Sequence, residues 1–437
     1  MRTTKGFLQQ ECNNLGSVLE ETLRFKYGLE GSKEFFDECQ VRLKFISVEL
    51  SRISDADSVQ LQQAAFFLVE LSGLISRIER SSVGEYSWPF VEELKRIANA
   101  ICTEATLTDP NALPKIHVLS DGGLDKYAIY TEANRPSSAG KRILTIVFPR
   151  SLKHFVLLHS ILGHEIGHAM WQCSKHQGAL KVILEKELFN GGVFADTEST
   201  AKWLYSSTAP SAVKTQLASW STKGLNQSNF FQWASWRAWT EEILCDFIGL
   251  LTFGPSFVAA ESTLLYSLDP SGTGIGQRHP PVGCRMNYLF ASAGFRGFTI
   301  TNYVDASLKS SVDLFWSELK VKCQSDPWFD VFTDTQIRNT ADAIATLLRS
   351  LAPALYVQPT EPDLKHMMDQ LARVIPPTGF QVNSQPSFQC RNIDFRQILF
   401  AGWAASANLR TLSFEQINRL CGHGILQQRA IDIELAL

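Results

Sequence analysis

The chain carries His164-Glu165-Ile166-Gly167-His168 inside an apolar run from Phe155 to Trp171. Two histidines four residues apart fall on one face of a helix, about one turn from each other. Both imidazoles can then reach a single tetrahedral zinc ion, with the intervening Glu165 beside the metal as a general base. Helical spacing of Phe155, Leu158, Ile161, Leu162, His168 and Trp171, with no proline between Ser151 and Gln177, predicts the helix that this chemistry requires. A pair of satisfied core histidines gives the same five letters, so a further ligand has to be found downstream.

The segment Trp239-Thr240-Glu241-Glu242-Ile243-Leu244-Cys245-Asp246 supplies one. Its surroundings, Trp236 to Leu251, are apolar with helical spacing, which puts Glu242 and Asp246 on a common face. Glu242 suits the third ligand position, leaving a fourth for water. Asp246 then accepts a hydrogen bond from the outer nitrogen of a ligand histidine, fixing its tautomer. Carboxylates inside an apolar helix are costly unless they find such partners. Glu241 reads as an exposed acidic edge and as the ligand next in line after Glu242. Cys245 reads as a small buried residue, and Glu198 as a more remote candidate for the metal.

H-E-x-x-H on one helix and E-x-x-x-D on a later one, 74 residues on from His168 to Glu242, resemble the gluzincin branch of zinc metallopeptidases. His279-Pro280-Pro281-Val282-Gly283-Cys284-Arg285 is similar to the H-P-x-x-x-x-R segment of the CAAX-prenyl-protease and heat-shock-protease family within that branch. The resemblance covers about 115 to 295. It implies one Zn2+ held by His164, His168 and Glu242, with Asp246 behind a histidine and Glu165 as base. It further implies that His279 hydrogen-bonds the developing oxyanion. Arg285 would brace the Glu242/Asp246 helix or the substrate main chain. The implied activity is hydrolysis of peptide bonds in a protein by a regulated or narrow-specificity endopeptidase. Such relatives commonly cross membranes and this chain shows no span, so prenylated or membrane-embedded substrates are not implied. The rival reading is a helical sensor or interaction protein with a latent or structural zinc site.

The elements that must position these residues suggest an α+β, mainly helical fold in three parts. Residues 1–107 form an N-terminal helical region, 108–300 a zincin-like core with a small antiparallel sheet, and 301–437 a C-terminal helical region. Leu61, Ala65, Leu68 and Ile75 make one helical stripe, starting near Asp57 or Ser58. Phe90, Leu94, Ile97 and Ile101 make another, with Pro89 in its first turn. Lys115–Ser120, Tyr127–Glu132 and Arg142–Phe148 read as strands separated by the turn clusters Asp121-Gly122-Gly123 and Asn134–Ser138. The last strand either offers a free edge to an extended peptide or is covered. The glycines from Gly272 to Gly276 read as a flexible approach to His279, and Pro376–Asn392 as a long loop. Ile337, Ala341, Ile344, Leu348 and Leu351 form a late stripe, and Ser413 with Gln416 reads as a capping box for the final helix.

Composition narrows the partners. With 41 basic and 44 acidic residues the net charge is −3, which gives no purchase on nucleic acid or an anionic membrane. Nine cysteines occur with no C-x-x-C pair, an arrangement suited to reduced thiols in a cytosol-like compartment. The first residues lack a signal-peptide layout, and no stretch reaches the roughly 18 apolar residues of a membrane span. A cytoplasmic protein acting on a protein or peptide is expected, with room for a regulatory partner.

Overall fold

The structure, a computed structural model, describes residues 4–23, 30–80, 88–105, 115–121, 127–131, 143–152, 154–172, 174–189, 198, 202–203, 206–207, 209–221, 236–268, 278–295, 317, 331–351, 361–382, 388–408 and 411–436. The turn clusters at 122–123 and 134–138 and the glycines at 272–276 lie outside them. Two compact units form, one from residues 1–99 and 106–154, the other from 100–105 and 155–437. The strands thus belong with the N-terminal helices. The histidine helix shares its unit with everything beyond residue 155.

In the first unit α1 (Thr4–Leu23), α2 (Glu30–Arg52) and α3 (Ser58–Arg80) bury their apolar faces against one another, and α4 (Trp88–Ala105) follows. Asp57 caps α3, its Oδ1 accepting from the Gln60 backbone N–H at 3.0 Å. The sheet, β1 (Lys115–Asp121), β2 (Ala128–Thr131) and β3 (Ile143–Pro149), has the order β1-β3-β2. It is mixed, not antiparallel as expected: β1 pairs with β3 in parallel and β2 pairs with β3 antiparallel. The reason lies in β3, which is buried at every position and so takes the centre, where both faces are covered. Paired on both sides, it has no free edge for a peptide.

In the second unit the helix ahead of the histidines is shorter than predicted. Leu158–Ile161 form a 3-10 turn and the α-helix proper, α5, runs from Leu162 to Gln172. Beyond it come α6 (Ser174–Ile183), a π-helical stretch (Leu184–Phe189) and α7 (Ser211–Ser221). Then follow α8 (Trp236–Phe253), α9 (Pro255–Leu268) and α10 (Val282–Phe295). Helix α8 is buried on nearly all its faces, as its mostly apolar sequence requires. Gly254, at φ 57, ends it in the left-handed conformation, and Pro255 opens α9 where a missing N–H costs nothing. The C-terminal part holds α11 (Asp334–Leu351), α12 (Glu361–Ala372), α13 (Phe395–Asn408) and α14 (Phe414–Ala436). Ser413 and Gln416 make the expected capping box, with reciprocal bonds of 2.8 and 3.2 Å. The expected loop over Pro376–Asn392 instead contains a pair of short antiparallel strands, β4 (Phe380–Val382) and β5 (Phe388–Cys390). No helix among the described residues is long and apolar enough to cross a membrane.

The C-terminal helices hold the turn that leads into α5. The Leu157 N–H donates to Asn418 Oδ1 at 3.0 Å, and the Leu157 carbonyl accepts from Trp403 Nε1 at 3.1 Å. Both bonds are buried, so neither partner can be replaced by water. Asn418→Leu should therefore cost about 1–3 kcal/mol, the penalty of stranding a buried N–H. The urea midpoint measures it; an unchanged midpoint would show that the turn holds itself.

Candidate metal centre

Helices α5 and α8 run antiparallel at close range, and their small residues make this possible. A methyl placed on Gly163 would stand 2.8 Å from the Phe253 ring and 2.9 Å from the Gly249 Cα. One on Gly167 would stand 2.6 Å from the Cys245 Cα. Gly163 thus faces Gly249 and Gly167 faces Cys245, each pair one turn from the other. The same register aligns His164 with Asp246, and His168 with Glu241 and Glu242.

Each imidazole is held from behind by a carboxylate. His164 Nδ1 lies 2.8 Å from Asp246 Oδ1, and His168 Nδ1 lies 2.7 Å from Glu241 Oε1. In the tautomer that donates Nδ1–H to its carboxylate, a neutral imidazole carries its lone pair on Nε2. Those two Nε2 atoms face each other at 3.1 Å. Glu242 closes the triangle, with Oε2 3.3 Å from His164 Nε2 and Oε1 3.5 Å from His168 Nε2. Its buried Oε2 has no hydrogen-bond partner among the described residues.

Such a convergence of donors is one that a cation would settle. Donors bonded at about 2.0–2.1 Å to a tetrahedral zinc stand about 3.3 Å apart, the spacing found here. Charge balance points the same way. Glu165, Glu242, Asp246 and Glu261 are buried carboxylates, and Arg285 is the buried guanidinium among them. Burial disfavours a charged His164, yet hydrogen bonds to Asp246 and Glu242 outweigh it and raise its pKa well above the ordinary value. The pocket thus draws positive charge, whether proton or metal. Glu242 goes the other way: burial is overcome by the neighbouring His164 ring, then by Arg285, and its carboxyl is held below the usual range. The residues present, two histidines and one carboxylate, fit a zinc ion.

Two neighbouring groupings fit a metal less well. Cys245 lies near both histidines, but burial, with four carboxylates around it, keeps its thiol protonated. Asp246, Glu261 and His164 also cluster, but the Arg285 guanidinium already occupies that space.

Glu165 stands apart from the other acids. It sits in the first turn of α5, and its carboxylate takes no hydrogen bond or ion pair among the described residues. Burial raises its pKa, and the two histidines only partly offset this.

His279 lies at the rim, its side chain 63% exposed and its Nε2 3.7 Å from Glu242 Oε1. Partial burial lowers its pKa, which favours a neutral ring. Arg285, in the first turn of α10, is buried: Nε donates to Asp246 Oδ2 at 2.7 Å and Nη2 to Asp246 Oδ1 at 2.6 Å. Of its two expected roles, these bonds serve bracing of the Glu242/Asp246 helix. Glu198 is on the surface, paired with Lys202 at 2.7 Å.

Two residues at the site were not anticipated in these roles. Glu241, expected on an exposed edge, orients His168. Glu261, from α9, accepts from Arg285 Nη2 at 2.8 Å. A lone acid in the apolar run of α9 was the available signal for Glu261.

No protein-family model matches this chain, and neither a curated protein nor a solved structure does.

The close approach of α5 and α8 can be tested directly. Gly167→Ala drives a methyl into backbone, so the helices must part, at a cost of ~1–3 kcal/mol. Bound zinc, counted by elemental analysis, should fall with the separation. An alanine variant with undiminished metal and an unmoved unfolding midpoint would refute the role given to this glycine.

Proposed function

We propose that this protein is a zinc-dependent peptidase, of the gluzincin kind that its motifs resemble. One observation carries the reading: two imidazole nitrogens and the Glu242 carboxylate converge beside Glu165, a buried acid with no hydrogen bond or ion pair among the described residues. A structural metal site has use for the three donors but none for a free buried base next to them.

His164, His168 and Glu242 are the residues to hold zinc. When bound there, zinc lowers the pKa of water towards ~7 and polarises the scissile carbonyl. Glu165 takes the proton of the attacking water and hands it to the leaving amine, a role worth about 10²–10⁴ in rate. His279, neutral and open to the solvent side, donates a hydrogen bond to the developing oxyanion, typically worth ~3 kcal/mol. Asp246 and Glu241 keep the two ligand rings in the metal-binding tautomer, and Arg285 secures Asp246. The substrate is a protein or peptide.

Glu165→Gln should retain zinc while hydrolysis of casein or a peptide library drops by at least about 10²-fold. Wild-type cleavage should stop with a chelator and return with zinc. A glutamine variant as active as wild type would remove Glu165 from the mechanism. Bound zinc without any cleavage would favour a latent or structural site.

Glu242→Ala should empty the site of zinc. Full metal content in that variant would move the ligand role elsewhere, with Glu241 the nearest alternative.

A further inference from the structure

We propose that Glu261 is a positioning residue for the metal centre, acting through Arg285 and Asp246 to hold the His164 ring with Nε2 free for a metal. The inference rests on the metal-site reading above and extends it one helix further from the ion. Four buried side chains form an unbroken series: Glu261 Oε1 accepts from Arg285 Nη2 at 2.8 Å, and Arg285 grips Asp246 at 2.6 and 2.7 Å. Asp246 Oδ1 in turn accepts from His164 Nδ1 at 2.8 Å.

Charge neutralisation does not account for Glu261. Asp246 already meets the guanidinium side-on through two nitrogens, the strong two-point arrangement for this pair. Meanwhile Glu261 Oε2 is buried without a hydrogen-bond partner among the described residues, an arrangement that works against stability. Its neighbours on α9 include Phe257, Val258, Ala260 and Leu265, all buried, so an apolar side chain would suit this setting. What the carboxylate adds is direction. Nη2 has two protons: one goes to Asp246 Oδ1 and the other to Glu261 Oε1, so the planar guanidinium cannot rotate about its own bond to Asp246. Fixing that plane fixes Asp246, which serves Arg285 and His164 from the same oxygen. It also sets Arg285 Nη1 at 3.9 Å from Glu242 Oε2, on the metal-facing side.

Glu261→Leu and Glu261→Gln in the full chain separate positioning from scaffolding. Three quantities are measured: zinc affinity by chelator competition, the melting point of the metal-free protein, and the ring tautomer of His164. The tautomer comes from nitrogen NMR of the metal-free protein at a pH where the ring is neutral. The leucine variant should bind zinc about 10–100-fold more weakly, the usual effect of losing an outer partner. Its melting point should hold or rise, and the His164 proton should partly shift from Nδ1 to Nε2. Glutamine, which keeps an oxygen for Arg285, should restore most of the affinity. Unchanged affinity in the leucine variant overturns the proposal, as does a loss matched by a falling melting point. A leucine variant that does not fold also overturns it, since Glu261 would then be a structural counter-ion. Failure of the wild type to take up zinc would defeat the metal reading instead. The tautomer would then decide the part played by Glu261, and an unmoved proton would sink it.

Discussion

Everything at this site depends on two helices approaching more closely than ordinary side chains permit. Gly163 and Gly167 on α5 meet Gly249 and Cys245 on α8 with no room for a further methyl. A closer axis-to-axis distance lets short acids on one helix reach the inner nitrogens of rings on the other. Longer reach would bring more rotamers and a looser triangle of donors, and ligands held that way lose the rigidity that metal affinity needs. Glycine weakens a helix by itself. Placed twice at a spacing of one turn, on the face that carries no ligand, it weakens α5 slightly and fixes the whole geometry.

The second constraint is charge. Burying carboxylates without partners would be prohibitive, yet the pocket keeps several. Asp246 shares Arg285 with Glu261, Glu241 is hydrogen-bonded to His168, and Glu242 faces both imidazoles. Glu165 has no hydrogen bond or ion pair among the described residues. The same list explains why a neutral, apolar replacement for any one of these acids would not be equivalent. Each removal either exposes another charge or frees a ring to choose the wrong tautomer. An arrangement of this kind is a poor source of stability and a good source of orientation.

Parts of this were legible in the sequence because they are local. Spacings of four within one helix fix which residues share a face, so His164 with His168 and Glu242 with Asp246 could be paired before any packing was known. Which acid serves which ring was not legible, since that depends on the register of α5 against α8. Glu241 sits about 100° around the helix from Glu242 and reads as its outward neighbour. It reaches His168 only because the axes cross where they do. The strands show a similar limit: turn clusters predicted hairpins, while burial of β3 on both faces put it in the centre with a parallel neighbour. A run of Ile143, Leu144, Ile146, Val147 and Phe148 carried that information. The 3-10 turn at Leu158–Ile161 is indistinguishable from α-helix over four residues.

Residues 301–437 read from sequence as a C-terminal helical region, and the packing of its helices beyond residue 361 gives them a part in placing α5. Trp403 and Asn418 bind both backbone polar groups of Leu157, and Gly402 brings α13 against the Leu157 side chain, where a methyl would lie 2.6 Å away. Ser160, one turn on, donates to the Ser256 carbonyl at 3.0 Å and so ties the same turn to α9, which carries Glu261. The first turn of α5 therefore receives its position from the C-terminal helices and from α9 together. His164 and Glu165 lie in that first turn, where fraying would otherwise be greatest. Holding its approach from three helices sets His164 and Glu165 in one fixed frame, which is what the proposed pairing of a zinc ligand with a general base would need.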